Sequence, residues 1–195
     1  MWDERYGKEG FAYGTAPNDF LREHAAKLPA GPVLCLADGE GRNGVFLAEQ
    51  GYEVTSVDQS RVGLAKAATL AAERGVTIHT EVADLATWDL GQARWSGVVS
   101  ISAHLPPDVR ARVHAGVVRA LRPGGVFLVE AYAPSQLGFG TGGPPAAEWL
   151  FDVEQVKREL DGLTFELAHE IERDVVEGRY HTGRAAVTQI IARKP

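Results

Sequence analysis

One local pattern near residue 40 constrains the fold of this chain more than any other feature. There, an apolar run, a glycine-rich turn and an amphipathic run follow one another directly. Residues 33–36 (Val-Leu-Cys-Leu) contain no alternating polar residue, which predicts a strand buried on both faces. Residues 44–50 predict a helix that ends at Gly51. A buried strand, a tight turn and a helix begin a βαβ unit, so we expect an α/β protein with a parallel sheet.

The same alternation continues through the first two thirds of the chain. Strands are predicted over residues 52–57, 76–82, 97–101 and 126–131, and helices over residues 61–74 and 107–121. Ser60 is a suitable N-cap for the helix over 61–74, and Gly75 is its stop signal. Strands separated by helices predict a doubly wound sheet whose strands are mostly parallel.

The pattern changes after residue 132. Residues 133–147 are rich in glycine and proline and predict a surface loop, and residues 151–160 predict a helix. Strict alternation over 165–171 and 184–192 predicts an antiparallel hairpin with its turn near Gly178. We therefore expect one domain over residues 1–195, with a seven-stranded sheet. It divides into an N-terminal segment over 1–30, a core over 31–132, and a loop, helix and hairpin over 133–195.

Composition excludes several classes of function. The 195 residues suffice for one compact domain and not for two, and the net charge of −6 offers no basic surface for nucleic acid. The opening residues Met1 to Tyr6 contain no apolar stretch that resembles a signal peptide, and no apolar run is long enough to span a membrane. The single cysteine, Cys35, and the histidines show no metal-ligand spacing. We expect a cytoplasmic protein with a small-molecule substrate and no metal, whose oligomeric state the sequence does not encode.

The glycine turn predicts a ligand site. Residues 39–44 (Gly-Glu-Gly-Arg-Asn-Gly) match the G-x-G-x-x-G pattern between a strand and a helix. Glycines allow a ligand to approach the backbone closely, and the helix that follows offers free N–H groups to an anionic group. An ordinary tight turn is the alternative, but the strand–turn–helix setting favours a nucleotide-type ligand.

Two acidic residues close neighbouring strands. Asp58 follows the second strand, where a carboxylate can accept both ribose hydroxyls of a nucleoside. Asp84 follows the third strand, where it can accept the amine of adenine while Leu85 covers the ring. Helix capping is the alternative interpretation of each carboxylate. The carboxyl ends of parallel strands share one edge of the sheet, so Asp58, Asp84 and the glycine turn are expected to lie close together. Their agreement is stronger evidence for a nucleoside site than any one of the three.

The literal glycine pattern also fits a nicotinamide-dependent oxidoreductase. Two features argue against this alternative: the chain ends after one sheet, without a second substrate region, and its terminal hairpin is antiparallel where a dinucleotide fold continues in parallel. A non-catalytic nucleoside-binding module is a third possibility.

The residues in this region resemble a known family. Residues 33–43 are similar to the first motif of the class I S-adenosylmethionine-dependent methyltransferases, closest to the branch of tellurite-resistance and thiopurine methyltransferases. Asp58, residues 83–85 and residues 121–125 lie where later motifs of that family fall. Residues 2–6, with Tyr13-Gly14 and Pro17-Asn18, resemble the N-terminal segment that packs over the cofactor in that branch. The resemblance implies a Rossmann-like methyltransferase fold and S-adenosylmethionine as cofactor, with S-adenosylhomocysteine as product.

The first motif departs from the family at three positions. Cys35 stands in place of the usual acidic residue of the first strand, Ala37 in place of the first glycine, and Asp38 where cysteine or glycine is common. Asp38 is therefore a candidate to supply the missing carboxylate. These departures are the reason that a degenerate, non-catalytic domain stays open as an alternative.

The resemblance and the residues together give a candidate site. Tyr6 and Tyr13 are candidates to cover the cofactor, since a desolvated sulfonium is attracted to aromatic faces; packing in the core is the alternative. The residues expected to contact the cofactor are Tyr6, Tyr13, Asp38, Gly39, Glu40, Gly41, Arg42, Asp58, Gln59, Ser60, Asp84, Leu85 and Ser102.

The acceptor side is less defined. Its candidates are His104, Tyr132, Arg173 and His181, with Arg184 nearby and residues 138–145 as a possible lid. For His104 the alternative is a hydrogen bond to the loop backbone, and for residues 138–145 it is a plain connecting loop. For Arg173, His181 and Arg184 the alternative is an ordinary position on the surface. No catalytic triad is expected, because orientation supplies much of the acceleration in methyl transfer and a base is needed only for an acceptor that loses a proton. The expected function is methyl transfer to a small, soft or thiol-like acceptor.

Overall fold

The structure, a computed structural model, describes residues 2–195; Met1, the first residue of the predicted domain and N-terminal segment, lies outside them. Seven strands form one sheet in the order β3-β2-β1-β4-β5-β7-β6. The first five strands are parallel, β7 is antiparallel to β5, and β6 is antiparallel to β7. The predicted seven-stranded, mostly parallel sheet with an antiparallel terminal hairpin is therefore confirmed. The strands are β1 Pro32–Leu36, β2 Glu53–Asp58, β3 His79–Val82, β4 Trp95–Ile101, β5 Leu121–Tyr132, β6 Thr164–Glu177 and β7 His181–Arg193.

Helices cover the sheet on both sides. They are α1 Trp2–Tyr6, α2 Asp19–His24, α3 Arg42–Glu49, α4 Arg61–Glu73, α5 Pro107–Ala120 and α6 Val153–Glu159, with short 3-10 turns at Ala25–Lys27, Pro134–Gly138 and Ala147–Trp149. Among residues 2–195, no helix has the length and apolarity that a membrane crossing requires.

The strand β1 shows how the sequence builds two cores. Its side chains alternate, so that Leu34 and Leu36 join a cluster with Trp95 and Phe127 on one face of the sheet. Val33 and Cys35 join a second cluster on the other face, with residues of α2 and α3. Burial raises the pKa of the Cys35 thiol well above its ordinary value, so this cysteine is an inert packing residue.

Several predicted boundaries were wrong. The third strand begins at His79 rather than at residue 76, because the Val76 amide donates to the Ala71 carbonyl at 2.9 Å and so completes the end of α4. The hairpin strands are longer than the alternation predicted, reaching Glu177 on β6 and starting at His181 on β7. The additional strand residues include Val175, which packs against residues of β5 and β7. The sequence alternation did not predict this extension, because the contact joins segments that are distant in sequence.

A buried ionic cluster fixes α6 against α5. The Arg110 guanidinium donates to Glu159, with Nη2 3.0 Å from Oε1, and Nδ1 of His114 lies 2.7 Å from Glu159 Oε2. Arg110 is fully buried and also donates to the carbonyls of Glu148 and Leu150, which end the loop before α6. Burial alone would raise the pKa of Glu159, but the hydrogen bonds from His114 and Arg110 lower it to about 2.

This cluster generates the first prediction. Glu159→Gln leaves Arg110 without its countercharge, so we expect the free energy of unfolding at pH 7 to fall by about 3 kcal/mol. Glu154→Gln, on the same helix with a side chain 68% exposed, is the matched control and should change it by less than about 0.5 kcal/mol. Urea denaturation of both variants measures this.

The pH dependence gives a second readout of the same variant. The folded-state pKa of Glu159 is depressed, so its contribution is present above the unfolded pKa of 4.5 and is lost as pH falls toward about 2. The difference between wild type and Glu159→Gln should therefore shrink in that range. A difference that stays constant between pH 7 and pH 3 would contradict this assignment.

Candidate cofactor and acceptor site

The predicted cofactor residues lie along the edge of the sheet where the parallel strands end. The glycine turn follows β1, Asp58 ends β2, Asp84 lies two residues after β3, and Ser102 directly follows β4. Adjacent registers place these ends side by side, since Leu36 pairs with Val57 and also with Ser100. Open α/β sheets bind their ligands at this edge.

Asp58 has a buried carboxylate whose two oxygens face different parts of the turn. Oδ2 accepts from the Gly39 amide at 2.9 Å, and Oδ1 accepts from the Ser60 amide at 2.8 Å. Burial raises its pKa. Each carboxylate oxygen can accept more than one hydrogen bond, so the arrangement retains capacity for ribose hydroxyls.

Ser60 caps the helix that follows. Its hydroxyl accepts from the Gly63 amide at 3.0 Å and donates to Oδ1 of Asp3 at 2.5 Å, which joins α1 to the start of α4. Gln59, between Asp58 and Ser60, is exposed. Asp84 is also exposed and accepts from the Ala86 amide through Oδ1, while Leu85 is buried in the core.

The glycine turn has a left-handed backbone conformation at two glycines, and Tyr6 of α1 packs against it. Gly39 has φ +57°, and a Cβ built on it would lie 2.5 Å from the hydroxyl oxygen of Tyr6. Gly41 has φ +83° and packs directly against Ala67 of α4. Only glycine fits both positions, because each combines an unfavourable conformation with a close neighbour.

The residues that depart from the family's first motif, Ala37 and Asp38, have an unusual backbone conformation and a buried carboxyl group. Ala37 adopts φ +49°, a left-handed conformation that favours glycine. Asp38 is buried: its Oδ2 accepts from Ser56 Oγ at 2.6 Å and its Oδ1 from the Gly44 amide at 3.3 Å. Burial raises the pKa of Asp38 to about 7, against the opposing effect of these two hydrogen bonds. Both oxygens of this carboxyl group are thus engaged, one by β2 and one by α3.

The N-terminal segment wraps the turn. The Ala12 amide donates to Oε2 of Glu40 at 2.7 Å, and Lys66 pairs with the other oxygen of Glu40 at 3.0 Å. The Asn18 amide donates to Oδ1 of Asn43 at 3.0 Å. Three separate bonds therefore tie residues 12–18 and α4 to the glycine turn.

A buried charge cluster connects the turn to the hairpin. Arg42 Nη2 lies 2.6 Å from Glu177 Oε2, and Arg173 Nη2 lies 2.5 Å from Glu130 Oε1. The side-chain amide of Asn18 donates to both carboxylates, at 2.7 Å each. We call these five residues, Asn18, Arg42, Glu130, Arg173 and Glu177, the charge cluster.

Arg42 and Arg173 were expected from the sequence at the cofactor and acceptor sides, and the structure brings both into this cluster. Sequence reasoning placed Asn18 in the segment expected to cover the cofactor without giving it a contact, and it missed Glu130 and Glu177. Glu130 carried a usable signal, because it is the only charged residue in the apolar run of β5 from residue 126 to residue 132.

Aromatic candidates from four distant segments form a continuous row. Ring centroids are 6.4 Å apart for Tyr6 and Tyr13, 4.6 Å for Tyr13 and His181, 5.1 Å for His181 and Tyr132, and 5.5 Å for Tyr132 and His104. We call these five side chains the aromatic row. It runs from the glycine turn to the end of β4.

A narrow cavity lies beside the middle of the row. It is lined by Ser102, Glu130, Ala131, Tyr132, Val175, Glu177 and Val187. Two buried polar atoms near it, the hydroxyl oxygen of Tyr132 and Nδ1 of His181, have no hydrogen-bond partner. Burial raises the pKa of Tyr132, so its hydroxyl stays protonated and able to donate.

The glycine-rich loop packs against Tyr132. A Cβ on Gly142 would lie 2.7 Å from the Tyr132 hydroxyl oxygen, and one on Gly143 would lie 2.9 Å from the Tyr132 ring. Gln136 ties the loop to β7, because its Nε2 donates to the Gly142 carbonyl and its Oε1 accepts from the Ala186 amide. The glycines are what allow the backbone to reach Tyr132 so closely.

His104 has a fully engaged ring. Nδ1 lies 3.1 Å from the Ser102 carbonyl, and Nε2 accepts from the Tyr132 amide at 3.0 Å. Burial lowers its pKa to about 3, so the ring is neutral and fixes the position of Tyr132. Arg184 is half exposed and lies 3.5 Å from Glu172 on the hairpin surface.

The geometry fits S-adenosylmethionine. A glycine cradle, a carboxylate at the end of β2 and aromatic faces suited to a sulfonium meet at one sheet edge. Asp58, Asp84 and Ser102 would hold the nucleoside side, and Tyr6 and Tyr13 would cover it. The group would supply an electrophilic methyl carbon at the aromatic row.

Comparisons with known proteins agree with this geometry. Residues 33–125 match the model of the methyltransferase domain family. The chain is 29% identical to a 2-heptyl-1-hydroxyquinolin-4(1H)-one methyltransferase of Mycobacteroides abscessus over 102 residues, which is 51% of this chain and 45% of the relative. It is 34% identical to an uncharacterized methyltransferase of Synechocystis over 139 residues, which is 68% of this chain and 61% of the relative. The chain thus spans about half of these curated relatives.

Solved structures share the fold over a larger part of the chain. One, described for the conversion of a disulfide bond into a thioacetal group during echinomycin biosynthesis, has a TM-score of 0.78 at 21% identity, covering 98% of this chain and 87% of the other. The tellurite-resistance protein TehB of Haemophilus influenzae has a TM-score of 0.69 at 17% identity, covering 100% of this chain and 66% of the other. These structures show that the chain shares their fold, and residues 33–125 are similar to the methyltransferase domain family.

The closed glycine turn generates a second prediction. Gly39→Ala adds a methyl group that collides with Tyr6, so we expect it to lower the free energy of unfolding by about 2–4 kcal/mol. Gly51→Ala is the matched control: it also has positive φ, +89°, but no atom lies within 4 Å of the new methyl group. It should lose only about 1 kcal/mol. Equal losses in urea denaturation would show that Tyr6 does not close the turn.

Proposed function

We propose that this protein transfers a methyl group from S-adenosylmethionine to a small-molecule acceptor with a soft, thiol-like nucleophile. The observation that carries the proposal is the meeting of the glycine turn, Asp58 and the aromatic row beside one narrow cavity. The methyltransferase-domain match over residues 33–125 supports the donor.

The proposed cofactor position follows from the donors and acceptors at the sheet edge. Asp58 accepts the ribose hydroxyls, Asp84 accepts the adenine amine and Leu85 packs on the ring. Tyr6 and Tyr13 cover the sulfonium, whose positive charge is attracted to aromatic faces by about 0.5–2 kcal/mol per ring. Residues 2–30 act as the cofactor cover, held down by the bonds of Ala12 and Asn18 to the turn.

The proposed reaction needs orientation more than it needs acid–base chemistry. In-line displacement at the methyl carbon is accelerated by holding donor and acceptor in contact, which contributes on the order of 7–11 kcal/mol in favourable cases. The rigid anchoring of Tyr132, by His104 on one side and Gly142 and Gly143 on the other, supports such positioning.

The proposed acceptor is small because the cavity beside Tyr132 is narrow. Val175 and Val187 give it apolar walls, and aromatic rings flank it, a setting favourable to a polarizable sulfur atom. Two comparisons support small-molecule chemistry: the relative that methylates a hydroxyquinolinone, and the structure concerned with a disulfide and a thioacetal.

A ligand panel tests the cofactor. S-adenosylhomocysteine at about a hundred times its dissociation constant adds about 2.7 kcal/mol of stability, which raises the melting temperature of a chain of this size by roughly 5–10 °C. NAD and NADP should leave it unchanged. Differential scanning fluorimetry measures the shifts, and stabilisation by NAD or NADP alone would overturn the proposal in favour of an oxidoreductase.

A variant tests the ribose assignment. Asp58→Ala removes the proposed acceptor of both ribose hydroxyls, so we expect the affinity for S-adenosylhomocysteine to fall at least tenfold, or about 1.4 kcal/mol. Asp89→Ala, an exposed carboxylate on the following loop, should leave the affinity unchanged. Isothermal titration calorimetry measures both. Unfolding of the free Asp58→Ala protein is followed in parallel because Asp58 also bonds the Gly39 and Ser60 amides. Undiminished affinity would mean that Asp58 does not hold the ribose.

A further inference from the structure

The two unpartnered polar atoms of the site belong to neighbouring side chains. The Tyr132 hydroxyl and His181 Nδ1 are both buried without a hydrogen-bond partner, and their rings meet edge to face at 5.1 Å. Leaving a buried polar atom unpaired costs about 1–3 kcal/mol, so two such atoms together indicate a ligand group that pairs with them. His104 differs, because both of its ring nitrogens are engaged.

His181 also has a charged partner placed to assist proton transfer. Its Nδ1 lies 3.8 Å from Glu177 Oε2, beyond hydrogen-bond distance but close enough for strong electrostatic attraction. Burial opposes the charged form of Glu177, but the nearby His181 ring, the charge of Arg42 and the hydrogen bonds from Arg42 and Asn18 lower the pKa of this carboxyl group well below its usual range. Glu177 therefore stays ionised and stabilises a positive charge on the imidazole.

We propose that His181 is the general base of the reaction and that the Tyr132 hydroxyl holds the acceptor atom, which makes the acceptor a protic nucleophile such as a thiol. This inference rests on the proposed function. In the tautomer with its proton on Nε2, Nδ1 of His181 takes the thiol proton. The sulfur lone pair forms the bond to the methyl carbon, and the electron pair of the broken bond stays on the cofactor sulfur. The Tyr132 hydroxyl donates to the acceptor sulfur throughout.

Several titratable groups lie close to His181. They are Glu177 from β6, Tyr132 from β5, Tyr13 from the N-terminal segment and His104 from the loop after β4, while Arg42 and Arg173 pair with Glu177. Since a general base accepts a proton only when it is neutral, kcat/KM should fall as the pH is lowered.

Two thiols of different acidity separate base catalysis from positioning. 2-Mercaptoethanol is mostly protonated at pH 7.5, whereas thiophenol is mostly ionised. His181→Gln should lower kcat/KM for 2-mercaptoethanol about a hundredfold and for thiophenol less than tenfold. Equal losses for the two thiols, or no loss, would overturn the role of His181.

Matched variants and a binding readout keep the test decisive. His79→Gln, an exposed histidine on β3, should behave as wild type. Tyr132→Phe removes only the hydroxyl and should weaken both thiols alike. In 15N-histidine NMR of the wild-type protein with S-adenosylhomocysteine, 2-mercaptoethanol should shift one buried Nδ1 signal without any turnover. No shift at saturating thiol would contradict the contact even if His181→Gln fails to fold.

The failure of this inference differs from that of the proposed function. If the wild-type protein does not bind S-adenosylhomocysteine, the proposed function is overturned. Cofactor binding with no methylation of either thiol overturns the thiol acceptor and, with it, the role of His181. Methylation of both thiols with an unchanged acidity preference in His181→Gln overturns the general base alone.

Discussion

The charge cluster of Asn18, Arg42, Glu130, Arg173 and Glu177 is the interaction on which the site depends most. It joins the N-terminal segment, the first residue of α3, the strand β5 and the hairpin, which lie far apart in sequence. Removing one partner of a buried ion pair leaves the other charge uncompensated, at about 3–5 kcal/mol. Each member therefore holds the other segments in register, and the glycine turn cannot move independently of the hairpin.

The cluster also positions the groups that face the acceptor. Glu130 and Tyr132 are two residues apart on β5, so their side chains point to the same face of the sheet. Glu177 ends β6 and His181 begins β7, so that the same hairpin turn carries the ion pair and the imidazole. Gln189 extends the cluster, donating to Glu130 Oε2 at 2.6 Å. His181 and Tyr132 thus lie close in sequence to the buried charges of Glu177 and Glu130, which limits the movement of the proposed base and hydroxyl during transfer.

What the sequence could predict depended on how far the contacts reach along the chain. The strand, glycine turn and helix over residues 32–49, and the cap at Ser60, are encoded within a few residues and were predicted. The aromatic row was not: its members were each identified, but nothing in the sequence indicated that Tyr13, His181 and Tyr132 would meet. The full length of β6 and β7 escaped for the same reason, since Val175 is buried by residues of other strands.

The altered first motif is best understood as a rearrangement inside the turn. A non-glycine residue in the left-handed conformation of Ala37 costs about 1–2 kcal/mol, and the next residue supplies compensation. Asp38 binds the Gly44 amide near the positive end of α3 and accepts from Ser56, so it joins β1, β2 and α3 at the point of strain. Because burial raises its folded pKa to about 7, stability falls as pH rises from the unfolded pKa of 3.8 towards about 7, and the two hydrogen bonds to the carboxylate offset part of that loss. The carboxyl group of Asp38 thus stabilises the glycine turn through bonds to α3 and β2, while the carboxylate of Asp58 retains capacity for a ligand.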